Sequence, residues 1–324
     1  MIFNYCTLFD SNYLSRGLAM YESLVNESQD FHLFIFPFDD KSRDILFKLD
    51  LEHVTIVPLE QFEDEQLREV KKDRTDQEYC WTCTPSIIKY SIEEYDLDNC
   101  TYLDADLYFF SNPSDLIEEM GSNSVMITEH RYTSEYDQTD TSGIYCVQFI
   151  TFKNDNQGMK VLEWWRNACL DWCYARFENG KFGDQKYLDD WTKKFEGVYV
   201  LEHLGGGVAP WNVQQYKFEK SNGFIEGERK VDNITFNLIF YHFHGLKLLR
   251  NYRIDLGHYQ LVKKVINLIY KPYIISLLKW DDKIKRVTNS RVSLSLSEKK
   301  ESFSVIISRK LKGIYNVFRL KKIV

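Results

Sequence analysis

Two aspartates near the middle of the chain have a spacing that suits metal binding. Asp104 and Asp106 are separated by one residue, and on an extended segment the side chains at positions i and i+2 point to the same side. They can therefore address one divalent cation together, and carboxylate oxygens suit Mg²⁺ or Mn²⁺. Because such ions usually keep room for phosphate oxygens, the pair predicts an anchor for a nucleotide diphosphate. The apolar flanks, Tyr102-Leu103 and residues 107–110, argue against a solvated acidic loop.

The elements that must position this pair alternate between strand-like and helix-like stretches, which favours a mostly parallel sheet covered by helices. Apolar runs predict strands at residues 2–8 and 31–38, and residues 14–25 between them carry apolar side chains at helical spacing. A strand at 100–103 ends at Asp104, and ligands of open α/β sheets bind at the carboxyl ends of strands. The remaining predicted elements are strands at 53–57, 125–128, 144–152 and 236–243, a helix opening at Thr84-Pro85 and running through Tyr95, and a helix from Gly158 to about Phe177.

The composition is that of an ordinary globular protein, with 324 residues that are 44% hydrophobic and 27% charged. The first residues lack a basic segment followed by an apolar one, so we expect no secretory signal and a cytoplasmic protein. No uncharged apolar run approaches the roughly 20 residues of a membrane span. The seven cysteines favour reduced thiols, because Cys80 and Cys83 have no second pair at zinc-ligand spacing.

Charge divides the chain unevenly. Residues 261–324 hold 16 Lys and Arg against 4 Asp and Glu, a net charge of +12, and the remainder carries −19. We therefore predict a main domain at 1–255 and a basic, helical extension at 256–324. This extension could contact the inner face of a membrane or pack on the main domain, and we expect no nucleic acid partner. Five apolar residues in it recur at steps of three or four, as along one stripe of a helix: Phe303, Ile307, Leu311, Ile314 and Phe318.

The segment Tyr102-Leu103-Asp104-Ala105-Asp106 resembles the metal motif of GT-A-fold glycosyltransferases, and its surroundings most resemble family 8 and bacterial nucleotide-diphospho-sugar transferases. The resemblance extends over roughly residues 1–250. It implies an α/β protein with a Rossmann-like mixed sheet and helices on both faces. It also implies that Asp104, Ala105 and Asp106 lie beside the nucleotide and that Mn²⁺ or Mg²⁺ binds there.

Other segments follow in the order that the resemblance requires. Residues 7–13 are similar to the segment that meets the base and ribose of the donor, which implicates Thr7, Phe9, Asp10 and Tyr13. Residues 142–149 resemble the segment that faces the transferred sugar and the acceptor. In that segment we assign Tyr145 and Gln148 to the sugar or acceptor. Outside it, we assign Lys89 to the donor and place Asp184 and Gln185 beside the reacting carbon.

Near the end of the resemblance, His242 matches the histidine that completes the metal site, and Lys247 the lysine that holds the diphosphate. The match departs from the family, in which the lysine lies three residues after the glycine and precedes Pro-Trp. Here Lys247 lies two residues after Gly245, and His244 competes with His242 as the third ligand. The loop at 205–212 has three glycines and could let the backbone approach substrate or form a tight turn, and Trp211 and Asn212 in it, like Trp81 and Tyr145, are candidate contacts of a sugar.

These residues together predict transfer of a sugar from a nucleotide-diphosphate donor, expected to be a UDP-sugar, to a glycan or lipid-linked acceptor. The resemblance implies retention of the anomeric configuration, but an inverting reaction with Asp184 as general base stays open. Two other functions also stay open: a metal-dependent sugar nucleotidyltransferase, and a non-catalytic protein of the same fold that binds sugar or nucleotide. The chain lacks a P-loop and a G-x-G-x-x-G segment that opens a helix, which disfavours the first of these.

Overall fold

A computed structural model describes residues 2–289 and 301–323. The strands within these ranges are β1 (Phe3–Phe9), β2 (Phe31–Pro37), β3 (Val54–Ile56), β4 (Asn99–Leu103), β5 (Leu107–Phe109), β6 (Val125–Glu129), β7 (Tyr145–Lys153), β8 (Val198–Val200), β9 (Tyr216–Ser221), β10 (Phe224–Arg229), β11 (Thr235–Asn237), β12 (Phe240–His242), β13 (Lys247–Leu249), β14 (Arg253–Asp255) and β15 (Val317–Arg319). The α-helices are α1 (Leu14–Glu27), α2 (Asp40–Leu49), α3 (Leu59–Phe62), α4 (Glu65–Val70), α5 (Asp76–Glu94), α6 (Ser114–Glu119), α7 (Thr139–Ser142), α8 (Asn156–Asp171), α9 (Trp191–Lys194), α10 (Lys263–Val265), α11 (Lys271–Thr288) and α12 (Phe303–Leu311).

A seven-stranded mixed sheet in the order β3-β2-β1-β4-β7-β6-β8 forms the centre of the molecule. β1 lies parallel to β2 and β4, whereas β7 runs antiparallel to β4 and β6. A separate two-stranded ladder pairs β5 with β12 in antiparallel register. Two small three-stranded sheets, β11-β10-β9 and β13-β14-β15, complete the fold.

Side chains alternate between the two faces of the sheet and enter two cores. From β1, Tyr5 and Phe9 join the core formed with α1, α2 and α11, whereas Cys6 and Leu8 join the core formed with α5 and α8. The predicted α/β architecture, a mixed sheet with helices on both faces and a helical C-terminal region, is confirmed. All seven cysteines are free thiols, and six are buried.

The C-terminal region packs on the rest of the molecule through apolar contacts. α11 lies against α1, and Tyr273 of α11 stacks on Phe243 with ring centroids 3.8 Å apart. The hydroxyl groups of Tyr270 and Tyr241 are 3.0 Å apart, next to β12. β15 pairs with β14, so the chain returns near its end to the segment that follows β12. No helix within the described residues is long and apolar enough to span a bilayer.

Three sequence-based boundaries are wrong. The helix expected to open at Thr84-Pro85 begins at Asp76, because Thr75 and Glu78 form a capping box and Pro85 lies inside the helix. α8 ends at Asp171, where Trp172 takes extended backbone angles, instead of continuing to Phe177. The C-terminal stripe is helical only as far as Leu311, and Phe318 lies in β15.

Candidate active site

The tight turn between β4 and β5 carries Asp104 and Asp106. The backbone N–H of Asp104 donates to the Gln148 carbonyl on β7 at 3.0 Å, and the N–H of Leu107 donates back to the Asp104 carbonyl at 3.2 Å. β5 then pairs with β12, with Leu107 opposite His242. The two aspartates and the histidine, which are far apart in sequence, therefore meet at one edge of the sheet.

The side chains of these three residues form a group with metal-ligand spacing. His242 Nε2 lies 3.1 Å from Asp106 Oδ1 and 3.7 Å from Asp104 Oδ2. One ligand atom from each residue lies within 4.8 Å of the other two. Because two hard carboxylate oxygens and an imidazole nitrogen suit Mn²⁺ or Mg²⁺, the donor set fits the cation that the sequence predicts.

Gln148 orients the histidine from behind. Its Oε1 lies 2.8 Å from His242 Nδ1, and the side chain is fully buried. When Nδ1–H donates to this oxygen, Nε2 is left as the atom that faces the carboxylates. Within the described part of the chain the Gln148 amide nitrogen has no hydrogen-bond partner, and it lies beside Gly207, 3.5 Å from where a β-carbon would stand. Gln148 was predicted to contact sugar, but the hydrogen bond that the structure shows is with a candidate metal ligand.

Without a cation, the three side chains of the cluster differ widely in pKa. Burial, together with the neighbouring Asp106 carboxylate, raises the pKa of Asp104 to about 6. Burial would also raise the pKa of Asp106, but the imidazolium of His242 lowers it to about 2. Burial disfavours the His242 cation, yet the Asp106 carboxylate holds the pKa of His242 well above its usual value. The metal-free site is therefore an ion pair of His242 with Asp106, with Asp104 beside it.

Asp184 also lies near this cluster. Burial, and then the charge of Asp104, raises its pKa to about 8, so that the metal-free protein holds this carboxyl protonated at neutral pH. Its backbone carbonyl accepts a hydrogen bond from the indole of Trp165 at 2.9 Å, which fixes the segment to α8. The amide nitrogen of the adjacent Gln185 donates to the Ser142 carbonyl at 2.8 Å. The structure thus joins the segment at 184–185 to the segment at 142–149.

The segment at 7–13 occupies the end of β1 and the turn into α1. Thr7 and Phe9 are buried in the sheet, and a β-carbon on Gly17 would collide with the Phe9 ring. The Asp10 carboxylate accepts from the backbone N–H groups of residues 12 and 13 and so shapes the turn. Tyr13 is 45% exposed, and burial together with the charge of Asp106 raises its pKa to about 12. Of the four predicted donor contacts, Tyr13 is the one that is exposed and whose pKa is raised by burial and by the charges of the two aspartates.

Arg16 was not among the predicted site residues, and the structure places it beside the cluster. It is 7% exposed, and its guanidinium donates to the Leu246 carbonyl at 2.9 Å and lies over the Tyr13 ring at 4.5 Å. Its charge contributes to the low pKa of Asp106. A buried cation in the first turn of a helix opposes the helix dipole, so a neighbouring acidic site accounts for its presence.

The two histidines that were alternatives for the third ligand have ring centroids 5.9 Å apart. His242 belongs to the metal-spaced group, whereas His244 is exposed in the following turn. Burial around its ring, and then the His242 cation, lowers the pKa of His244. Lys247 lies close enough to His244 to lower that pKa further, and its ammonium makes no ion pair or hydrogen bond within residues 2–289 and 301–323. The ammonium of Lys247 is thus available beside the site.

Two predicted contacts, Lys89 and Tyr145, lie in other surroundings. Lys89 pairs with Glu163 at 3.0 Å and Glu93 at 3.5 Å, which ties α5 to α8, and the structure does not bring it to the cluster. Tyr145 joins the core under α8, on the face of β7 opposite Gln148. Contact of Lys89 with the donor and of Tyr145 with the sugar therefore stays a prediction, and neither side chain belongs to the metal-spaced group.

The loop at 205–212 is a rigid turn behind the site. Asn212 is fully buried, and its amide group bonds the Ala209 N–H and the carbonyls of His130 and Gly207. The Asn212 side chain thus holds the loop together, and its contact with substrate stays a prediction. Trp211 is buried and packs edge-on against His242, with ring centroids 5.3 Å apart. It supports the histidine ligand by packing.

Comparisons with known proteins agree with this geometry. The family described as glycosyl transferase family 8 matches residues 5–164. Two relatives from Bacillus subtilis (strain 168), YfnD and YfnF, are both described as uncharacterized. YfnD is 31% identical over 87% of this chain and 91% of its own length. YfnF is 33% identical over 76% of this chain and 82% of its own length.

Among solved structures, the bifunctional glycosyltransferase WbbM in its apo form is similar with a TM-score of 0.51 and 12% identity, covering 88% of this chain and 51% of that chain. At this identity the likeness supports the fold alone. The family model matches this sequence, the relatives align over most of their length, and the fold is GT-A. The chain therefore belongs to glycosyl transferase family 8 and is a glycosyltransferase.

Proposed function

We propose that this glycosyltransferase uses a UDP-sugar donor, depends on a divalent cation held by Asp104, Asp106 and His242, and retains the anomeric configuration. The observation that carries the proposal is the group of three ligand atoms within 4.8 Å of one another at the carboxyl end of β4. A cation bound there would supply positive charge against the negative charge that develops on the leaving diphosphate.

The chain's own cations would act on the same diphosphate. The ammonium of Lys247 has no anionic partner in the described structure, and the charge of Arg16 acts on Asp106. Preorganised positive charges of this kind stabilise a leaving group without the cost of reorienting solvent. Tyr13, exposed at the end of the donor segment, offers a ring for stacking on the base.

Asp184 and Gln185 are the proposed residues beside the reacting carbon. The Gln185 amide nitrogen is held by Ser142, and its amide oxygen makes no hydrogen bond within the described residues. That oxygen can steady the positive charge that forms on the sugar ring. Asp184 loses its proton more readily when the charge of Asp104 is neutralised, since that charge contributes to its raised pKa.

The acceptor is proposed to be a glycan or a lipid-linked glycan, and the basic C-terminal region to contact a membrane. The charge of +12 over residues 261–324 supports this part of the proposal. Membership of family 8 favours sugar transfer over nucleotidyl transfer.

The test is a panel of nucleotide sugars assayed for donor hydrolysis with Mn²⁺, with Mg²⁺ and with a chelator. We expect one or a few UDP-sugars to be turned over only with a cation, and NMR of the first sugar released to show the donor's anomeric configuration. Hydrolysis that persists in the chelator would refute the metal site, and an inverted first product would refute retention. A non-catalytic protein would turn over no donor at all.

A further inference from the structure

Helix α12 lies on the protein with its apolar stripe facing outward. Phe303 is 77% exposed, Ile307 42% and Leu311 83%. The spacing of four residues places these side chains along one side of the helix. The buried residue of α12 is Arg309, which falls on the opposite side. A surface helix that packed through its apolar face would show the reverse arrangement.

Arg309 fixes α12 in this orientation. Its guanidinium donates to both carboxylate oxygens of Asp255, at 2.8 and 2.7 Å, to Glu301 at 2.6 Å and to the Gly257 carbonyl at 2.9 Å. A bidentate Arg–carboxylate pair restricts direction as well as distance. His258 lies 2.8 Å from Glu301, and Asp255, His258 and Glu301 have metal-ligand spacing, but the Arg309 guanidinium already pairs with both carboxylates.

The rim of the stripe is basic. The exposed Lys and Arg residues on and after α12 are Lys310, Lys312, Arg319, Lys321 and Lys322. Residues 302–323 contain no Asp or Glu, whereas residues 1–260 carry a net charge of −19. An anionic surface is therefore attracted to this face and repelled by the rest of the molecule. An exposed apolar stripe beside basic side chains suits the boundary between lipid headgroups and acyl chains.

We propose that this α12 face, made of Phe303, Ile307, Leu311 and the neighbouring Lys310, docks on the surface of an anionic lipid bilayer. Arg309 joins α12 to β14, and β14 pairs with β13, whose first residue is Lys247. The docked face is thus tied to the edge of the candidate active site. The inference specifies the membrane contact of the proposed function and rests on it only for the lipid-linked acceptor.

Sedimentation with phosphatidylcholine vesicles, with and without phosphatidylglycerol, tests this surface on the full chain. We expect the protein to bind the anionic vesicles, and more weakly at high salt because screening shortens the reach of surface charge. F303S/L311S should lower partitioning at least about tenfold. K310Q/K312Q should also lower it about tenfold. F47S is the matched control, because Phe47 is an exposed phenylalanine on α2, and it should bind like the wild type.

The four proteins should melt alike, since the altered side chains are exposed. Undiminished vesicle binding by F303S/L311S would overturn the proposal. It would also be overturned if the wild type were a dimer that does not bind vesicles and F303S/L311S were a monomer. Donor hydrolysis without vesicles should be unchanged in F303S/L311S. Vesicle binding by a protein that hydrolyses no nucleotide sugar would contradict the proposed function and leave the docking surface standing.

Discussion

A cation that binds the site must displace the proton of His242 and, below about pH 6, also that of Asp104. The pKa of Asp104 is raised to about 6 by burial and by Asp106, and that of His242 is well above its usual value, against the effect of burial, because of Asp106. Metal ligands bind in their deprotonated forms, so affinity should increase as these protons become easier to remove. We expect the affinity for Mn²⁺ to rise about tenfold or more from roughly pH 5.5 to pH 8. Calorimetry in buffers of different ionisation enthalpy would count the protons released on Mn²⁺ binding. A Mn²⁺ affinity that does not change with pH, together with no proton release, would contradict this prediction.

Gln148 should act on the metal through His242. Gln148→Ala removes the acceptor at His242 Nδ1, so the ring can turn or change tautomer, and outer-shell losses of this kind lower metal affinity about 10–100-fold. Gln148→Glu keeps an acceptor at the same place and should retain most of the affinity. Mn²⁺ titration of the two variants distinguishes positioning from packing. If the glutamate variant lost as much affinity as the alanine variant, the hydrogen bond would not be the cause.

The sequence alone indicated Asp104 and Asp106 because their spacing and apolar flanks are local. His242 required the family resemblance, since an isolated histidine carries no such pattern. Arg16 could not be found by either route, because the carbonyl that it contacts, that of Leu246, is 230 residues away. The ion pair of Lys89 with Glu163 could not be predicted either, because the sequence does not show which acidic side chain a second helix brings to a lysine.

At the level of elements, the pair of Arg309 with Asp255 should hold α12 and β14 together. Both side chains are buried, and removing one partner strands the other charge, which costs about 3–5 kcal/mol. We expect Arg309→Ala to lower the free energy of unfolding by about this amount in urea denaturation. The double variant with Asp255→Ala should recover part of the loss. Additive losses in the two single variants would show that the pair is not coupled.

Sequence reasoning located most strands of the sheet because their apolar runs are bounded by turn residues. It failed where two local signals competed. Thr84-Pro85 resembles a helix start, yet the helix begins earlier in the chain, at the capping box of Thr75 with Glu78, and it tolerates Pro85 in its interior. The tail stripe predicted one helix to Phe318, but pairing of β15 with β14 takes over after Leu311, and such pairing is non-local.

For the whole molecule, the predicted boundary at residue 255 can be tested by truncation. Tyr270, Tyr273 and Trp280 lie beyond it and are buried in the core shared with α1 and β12. Removing one such side chain costs about 3–5 kcal/mol, so a chain ending at residue 255 should not unfold cooperatively. A chain ending at residue 288, which keeps α11, is the control and should retain a cooperative melt. A stable 1–255 fragment would instead favour the predicted domain boundary.

The account depends on a cation site that binds the nucleotide, and calorimetry of UDP binding with and without Mn²⁺ tests this most directly. We predict that Mn²⁺ increases UDP affinity at least about tenfold in the wild type, and that Asp104→Asn and Asp106→Asn abolish the increase. Asp115→Asn, on α6, is the control and should keep it. Equal UDP affinity with and without Mn²⁺, or a full increase in both aspartate variants, would contradict the central claim.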